Sequence, residues 1–479
     1  MPGALTRKPT MTASNPDFAV IDRAVTAAKA AAPTLAEATP SRRARLLRGL
    51  AEALESQQAE LVAIADQETG LGPARLNGEV ARTAFQLRGF ADEVEQGVPY
   101  RRVDDGAVAG APPAGRPHLT RVQVPLGPVA MFSASNFPFA FSVLGGDTAS
   151  ALAAGCPVVV KTHSGHPQLS RAVYELARGV LAEQGWPAGV LGLVESSSRA
   201  GGTYLVQHPD TAAVAFTGSH QGGVALWKAA NERARPIPFY GELGSINPLV
   251  VLPQVLERDG EALAQTLAGS ITLGCGQFCT SPGVIVLFDH PASERFVAAL
   301  GDALRPIATH RMLTDNMRRG FDDGVVRIAG HPDVRSLFEP AADGAGPAPR
   351  LFETSATAFI ADAHLREEMF GPAAVVVKVK STAEAVEVLE AIGGTLTATL
   401  WGVEDDTADN RALVRAAEHI AGRVLFGGVP TGVAVCHAQQ HGGPWPSSTQ
   451  PQSTSVGFAA LERFLRPVAL QDAPAWRLA

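Results

Sequence analysis

Cysteine is scarce in this chain, with four among 479 residues. That is too few for a secreted disulfide framework and points to a reducing compartment. Long apolar runs are also missing: none reaches the roughly 18 residues of a membrane-spanning helix. The opening stretch, MPGALTRKPTMTASNPDFAV, lacks the apolar centre of a signal peptide, so the expectation is a cytoplasmic protein. Residues 1–10 read as unstructured, with Met11 as an alternative start. Charge of one sign is modest, 40 Lys and Arg against 47 Asp and Glu for a net of −7. This excludes nucleic acid or an anionic membrane as the main partner. The GxGxxG dinucleotide fingerprint is absent, and no short repeat recurs. What is present is 46% hydrophobic and 18% charged residues, a composition that builds large cores and is not that of a disordered chain. At about 150 residues per domain, the length implies two to four domains.

The first 95 residues read as helices. Thr39-Pro40 forms a cap followed by proline at the first helical position, and Leu46, Leu47, Leu50 and Leu54 then share one face. Residues 59–69 continue as a helix that Gly70 and Gly72 end. Residues 101–120, rich in Gly, Pro and charge, read as a loop or exposed ribbon. From Pro128, strand candidates at 129–133, 157–161, 189–194 and 212–217 alternate with helical stretches at 142–154, 168–184 and 200–208. A second set follows Gly244, with strands at 248–252, 284–288, 373–379 and 397–402. Strand–helix alternation of this kind predicts parallel sheets with crossover helices, in two α/β units. Residues 340–350 read as a surface loop.

Four segments carry residue types suited to catalysis. In Gly274-Cys275-Gly276-Gln277-Phe278-Cys279, a cysteine among small residues follows a helical run and precedes a strand. Cys279 is either an exposed nucleophile, activated as thiolate, or a packed small hydrophobe. Cys275 is close enough in sequence for a shared metal or disulfide, yet no neighbouring Cys or His completes a metal site, and none is expected. Glu242, in a glycine-rich apolar stretch between strands, is either a solvated turn residue or a desolvated base. Asn136 follows the first strand of the alternating region. It is either an oxyanion donor, since ligands gather at strand carboxyl ends, or a turn former before Pro138. The segment 214–223 (VAFTGSHQGG) runs from a strand through glycines into a helix, a setting that offers backbone N–H groups to phosphate or is an ordinary connection.

Taken in order, SNFP, VVVKTHS, FTGS, GELG, FCTSPG and EEMFGPA give a pattern that resembles the aldehyde dehydrogenase superfamily over nearly the whole chain. ETGLGPARLNGE (68–79), GELGSINP (241–248), GQFCTSPG (276–283) and PTGVAVCHAQQHGGPWPSST (430–449) are similar to α-ketoglutaric semialdehyde (2,5-dioxopentanoate) dehydrogenases. NADP-dependent fatty-aldehyde dehydrogenases share part of the pattern. Cys275 and Ser281 depart from it, where Ala and Asn are expected, beside the substrate pocket. The resemblance implies that Cys279 attacks the aldehyde, with the oxyanion held by Asn136 and the Cys279 N–H. It also implies that Glu242 activates water against the resulting thioester. Glu242 argues against acylating relatives that use coenzyme A and lack this base. Lys161 would reach the adenosine ribose. Ser164 stands where NAD users hold a glutamate, and Arg199 where NADP users hold a phosphate-binding arginine, which together favour NADP over NAD. Gly218 and Ser219 would line the pyrophosphate, and Glu368 and Phe370 the nicotinamide ribose and ring.

For the substrate carboxylate, Arg82, Gln86 and Arg88 on one helix are candidates, as are polar groups of the 437–448 loop. His437 and His441 are spaced for a metal on a helix, but the following glycines and prolines favour a loop with a structural or substrate role. The expected fold is two Rossmann-like parallel-sheet α/β domains with a small β oligomerisation element. The NAD(P)-binding domain takes 1–100 and 126–242, the catalytic domain 243–449, and the oligomerisation element 101–125 and 450–479. By analogy a homodimer or homotetramer follows. Two other readings stay open: a catalytically idle relative, and a cysteine hydrolase that would have no use for Lys161 and Arg199.

Overall fold

A computed structural model describes residues 16–478 apart from 339, 342 and 343; the expectations for residues 1–10 and Met11 lie outside the described residues. Helix α1 spans Pro16–Ala36, α2 Pro40–Ser56, α3 Gln58–Thr69 and α4 Pro73–Glu95. Thr39 caps α2 by accepting the Arg42 N–H at 3.3 Å, with Pro40 in the first turn, where its missing N–H costs nothing. Leu46, Leu47, Leu50 and Leu54 are all buried. Gly70 takes the left-handed conformation (φ +67°) that closes α3.

Strands β1 (Val103–Asp105) and β2 (Leu119–Pro125) form the ribbon. The chain then alternates: β3 (Val129–Phe132), α5 (Gly146–Ala154), β4 (Val158–Lys161), α6 (Pro167–Glu183), β5 (Leu191–Val194), α7 (Arg199–Gln207), β6 (Ala213–Thr217), α8 (His220–Asn231) and β7 (Phe239–Glu242). These strands make a parallel sheet in the order β5-β4-β3-β6-β7. Connections leave β3 in one direction and β6 in the other, so a crevice opens beyond their carboxyl ends. Residues 188–190 are a 3₁₀ turn rather than strand. Gly189 lies against α1, where an added Cβ would sit 2.1 Å from the Ala27 carbonyl oxygen.

A second sheet contains β8 (Pro248–Val251), β9 (Val284–Phe288), β10 (Val334–Ser336), β11 (Arg350–Ser355), β12 (Ala373–Val379), β13 (Thr395–Trp401) and β14 (Ala421–Leu425). Its order is β10-β11-β12-β9-β8-β13-β14, parallel except for β10. Alternate residues of β9 enter opposite cores, Val284 and Val286 on one face and Ile285 and Leu287 on the other, as expected for a strand covered on both sides. Helix α9 (Pro253–Thr272) precedes β9. Strand β15 (Leu465–Gln471) returns to pair antiparallel with β2, completing a three-stranded sheet.

The 340–350 segment is only partly a surface loop. Residues 346–349 are buried, because Gly346 passes so close to His310 that a Cβ would lie 1.8 Å from its carbonyl oxygen. Thr309 Oγ1 also donates to the Pro347 carbonyl at 2.7 Å. Glu242 does not lie between strands but ends β7. No described helix is long and apolar enough to cross a membrane.

Candidate active site

Cys279 sits in the loop between α9 and β9. Gly274, Cys275 and Gly276 all have positive φ, at +56°, +61° and +66°, which reverses the chain within one turn. A Cβ at Gly276 would lie 2.2 Å from the Gly371 carbonyl, so glycine lets the 367–372 segment close over this loop. Cys275 points away into a cluster with Met312, Phe321 and Ala373, and Cys156, Cys275, Cys279 and Cys436 are all free thiols. Asn247 holds the loop from below, its Nδ2 donating to the carbonyls of Cys279 and Ser281 at 2.9 and 2.9 Å. Asn247 has φ +47° and is pinned by Ser245 and Thr397, whose hydroxyls donate to its Oδ1 at 2.8 and 3.0 Å. The Cys279 N–H donates to no backbone carbonyl.

Asn136 is buried in the turn after β3, and its Nδ2 donates to the Gln277 carbonyl at 3.0 Å. Its own carbonyl accepts from Arg75 Nη2, and the Arg75 guanidinium lies over Phe137 and Phe278 at 5.0 and 4.7 Å. Asn136 is thereby tied to the backbone just ahead of Cys279.

Glu242 is buried beside the same sulfur. Its Oε1 meets His441 Nε2 at 3.1 Å and its Oε2 accepts the Ser455 hydroxyl at 2.6 Å. His441 Nε2 is 3.6 Å from Cys279 Sγ. Burial pushes the Glu242 carboxyl up, but the His441 charge and hydrogen bond, with Ser455 and Cys279, outweigh it and leave it below the usual carboxylate value. Burial, then the Glu242 charge and hydrogen bond, hold the Cys279 thiol well above its ordinary value, with Arg82 opposing. A protonated thiol therefore faces an ionised carboxylate. The sequence reads His441 only as a loop residue with a structural or substrate role, and it does not single out Ser455 or Asn247. His441 and Ser455 come from a loop 199 and 213 positions from Glu242, a separation that no local pattern bridges. His437 does not join His441; it contacts Glu93 at 2.6 Å and packs on Phe458.

The crevice beyond β3 and β6 holds the residues expected to meet a cofactor. Lys161 ends β4, and burial lowers its ammonium against the opposing charge of Asp17. Asp17 Oδ2 also accepts from Ser196 and Ser198 at 2.7 and 3.1 Å. Ser198 caps α7, so exposed Arg199 sits at that helix start, and Ser164 is exposed nearby in sequence to Lys161. Gly218 and Ser219 are exposed ahead of α8, whose cap is Ser219. A Cβ at Gly218 would lie 2.9 Å from the Phe216 ring, and the Gly218 N–H donates to the Glu242 carbonyl at 3.1 Å. An exposed helix N-terminus behind a glycine, at a topological switch point, fits a dinucleotide pyrophosphate. Across from it, Glu368 and Phe370 line a cleft with Ser245, Ile246 and Phe278. Burial, set against the Ser245 N–H and joined by the Glu242 charge, pushes the Glu368 carboxyl up to about 8.

Of the substrate candidates on α4, Arg82 reaches the centre. Its Nη1 donates to the Val433 carbonyl at 2.8 Å, its Nε is buried without a partner, and its charge acts on Cys279, Glu79 and Glu242. Gln86 is buried on the same face with Nε2 unpartnered. Arg88 is placed elsewhere: it is paired with Glu55 of α2 at the exposed side of the helix, since six residues carry it well around the helix from Arg82.

A family model described as "Aldehyde dehydrogenase family" matches residues 3–320. The chain is 45% identical over 434 residues to alpha-ketoglutaric semialdehyde dehydrogenase 2 of Azospirillum brasilense, covering 90% of this chain and 83% of that one. It is 39% identical over 459 residues to the alpha-ketoglutaric semialdehyde dehydrogenase of Acinetobacter baylyi, covering 94% and 86%. Among solved structures, aldehyde dehydrogenase 21 from Physcomitrella patens, in complex with the reaction product succinate, superposes with a TM-score of 0.78 at 24% identity, covering 95% and 90%. The protein belongs to the aldehyde dehydrogenase family. It is an oxidoreductase that converts an aldehyde to a carboxylic acid, in a family that uses NAD(P).

Proposed function

We propose that this enzyme oxidises 2,5-dioxopentanoate (α-ketoglutaric semialdehyde) to 2-oxoglutarate with NADP. The observation that carries the chemistry is the buried carboxylate of Glu242, hydrogen-bonded by Ser455 and His441, with His441 Nε2 also 3.6 Å from the Cys279 sulfur. Cys279 Sγ adds to the aldehyde carbon as its proton leaves to Glu242. The resulting oxyanion would be held by the Cys279 N–H and the Asn136 amide, donors worth about 3 kcal/mol each. The bound nicotinamide supplies the hydride acceptor, and a thioester on Cys279 remains. Glu242, having passed the thiol proton on to solvent, then takes a proton from water as hydroxide adds to the thioester carbonyl, and the C–S bond breaks as that proton goes to the sulfur. General-base assistance of this kind is worth about 10²–10⁴ in rate.

Lys161, Ser164, Arg199, Gly218, Ser219, Glu368 and Phe370 would hold the nucleotide. Ser164 brings no carboxylate to the ribose edge and Arg199 offers a cation to a 2′-phosphate, which supports NADP. For the substrate, the names of the two relatives agree with Arg82, a half-buried cation with a buried, unpartnered Nε, whose charge acts on the nucleophile. A carboxylate on a short chain gives the Arg82 Nε an acceptor, whereas a long alkyl chain leaves that nitrogen without one. We assign 1–100 and 126–242 to the NAD(P)-binding domain, 243–449 to the catalytic domain, and 101–125 with 450–479 to oligomerisation, save that Ser455 reaches Glu242 and 458–464 pack into the core of the first unit; we place the enzyme in the cytoplasm. The assembled trio of Asn136, Glu242 and Cys279 supports an active enzyme over an idle relative.

The test is a kcat/KM panel of short semialdehyde acids and long-chain aldehydes with both nucleotides, with Cys279→Ala as control. The expected result is dioxopentanoate and NADP first, and no turnover in the variant. Long aliphatic aldehydes ahead by tenfold, about 1.4 kcal/mol, would overturn the substrate, and turnover by Cys279→Ala would overturn the mechanism.

A further inference from the structure

Cys279, His441 and Glu242 converge in the catalytic centre, with the sulfur, one imidazole nitrogen and one carboxylate oxygen all within 4.8 Å of one another. A tetrahedral zinc ion, with Zn–S about 2.3 Å and Zn–N and Zn–O about 2.0–2.2 Å, requires S···N and S···O separations of about 3.6 Å and N···O of about 3.3 Å. The separations already present are 3.6 Å for S···N and 3.1 Å for N···O. We propose that Cys279, His441 and Glu242 form a binding site for a borderline-soft divalent cation, zinc foremost, whose occupancy reversibly shuts the enzyme off.

Three features beyond spacing support the site. Its donors are a thiol, an imidazole and a carboxylate, a mixed S, N and O set suited to zinc, with the fourth tetrahedral position left for water. The thiolate and carboxylate together neutralise a dication, which a centre this buried demands. The donors are also held from behind. Ser455 donates to Glu242 Oε2 and leaves Oε1 to His441, while the backbone N–H of His441 donates to Thr454 Oγ1 at 2.8 Å and fixes the loop that carries the imidazole. Such outer contacts orient metal ligands. His441 Nε2 shares its proton with Glu242, and ligation moves that proton off Nε2, to Nδ1, which has no partner, or to solvent.

Binding exchanges the Cys279 S–H bond for an S–Zn bond and the His441 Nε2–H bond for an N–Zn bond; the thiol proton goes to solvent and the ring proton to Nδ1 or solvent, and no electron moves. Affinity therefore rises with pH. The ion withdraws the nucleophile and the base at once, a consequence that rests on the function proposed above.

The test titrates zinc chloride into the chelator-stripped full-length protein by calorimetry, with cobalt(II) absorption as the second readout. Expected are one zinc per chain, a thiolate-to-cobalt charge-transfer band, and an at least tenfold weaker affinity in both Cys279→Ser and His441→Ala, each checked for folding by circular dichroism. Cys436→Ser, which alters the exposed thiol, is expected to leave binding unchanged. Dehydrogenase activity should fall with zinc occupancy and return on chelation. Zinc binding unaltered by Cys279→Ser and His441→Ala, or absence of the cobalt–thiolate band, would overturn the site; full activity at full occupancy would overturn the inhibition. Absence of zinc binding in an active dehydrogenase would sink only this inference, whereas zinc binding in a protein with no dehydrogenase activity would sink the function and leave the site standing.

Discussion

Ser455 has one hydroxyl proton and two acceptors in reach, Glu242 Oε2 at 2.6 Å and the His441 carbonyl at 3.2 Å. The carboxylate, shorter and charged, takes it, and a hydrogen bond to a charged group is worth about 1.5–3 kcal/mol. This bond favours the ionised form, so it helps keep the Glu242 carboxyl below its ordinary value against burial. Ser455→Ala removes the donor, and the carboxyl rises. The activity that depends on ionised Glu242 is present above its pKa and lost as pH falls through it, so the acid limb of the kcat profile moves to higher pH in the variant. The expected displacement is about one pH unit, equivalent to about 1.4 kcal/mol, with little change in the basic limb; an acid limb that stays in place would show that Ser455 does not tune the base. Cys279, Glu242 and Asn136 are legible in sequence because each stands inside a compact run of small residues. Ser455 is not, since it meets its partner only after the chain has built a second sheet and returned.

At the scale of elements, the alternation of strands and helices was readable because both sheets are covered on two faces and their strands are short apolar runs, as in 284–288 and 373–379. Edge elements were harder: β10 and β14 are part-polar and depend on a neighbour for their pairing, so no run marks them. The same limit applies to α1, which brings Asp17 to the cofactor crevice from far along the chain, where it accepts from Ser196 and Ser198 and opposes Lys161. Arg199, at the start of α7, contributes the opposite charge to that crevice. A 2′-phosphate responds to both. Asp17→Asn is therefore expected to lower the KM for NADP, and Arg199→Ala to raise it, each about two- to fivefold, as suits charges at a solvated rim worth about 0.5–1 kcal/mol. The KM for NAD, which lacks the phosphate, should change much less. Parallel shifts for both nucleotides would mean that these charges act on the fold of the crevice and not on the phosphate.

The whole molecule leaves sheet edges open. Strand β14 ends the larger sheet, and the residue after it, Phe426, is 67% exposed; β15 ends the three-stranded sheet on a largely exposed strand. Unpaired edges of this kind are a hazard in a monomer and a ready interface in an assembly. Two open edges, one at each of two sheets, allow β15 of one copy to lengthen the sheet that ends at β14 of another, a closed two-fold arrangement in which each contact is made twice. Phe426 then lies in the seam. Leu425→Lys combined with Phe426→Lys places like charges from both copies there; the exposed Phe426 position costs the isolated fold about 0.5 kcal/mol or less, and the half-buried Leu425 position costs more. Light scattering should report a homodimer or homotetramer for the parent chain and monomer for the double variant, with unchanged circular dichroism. An assembly mass that survives the double substitution would remove β14 from the interface and with it the role given to residues 101–125 and 450–479.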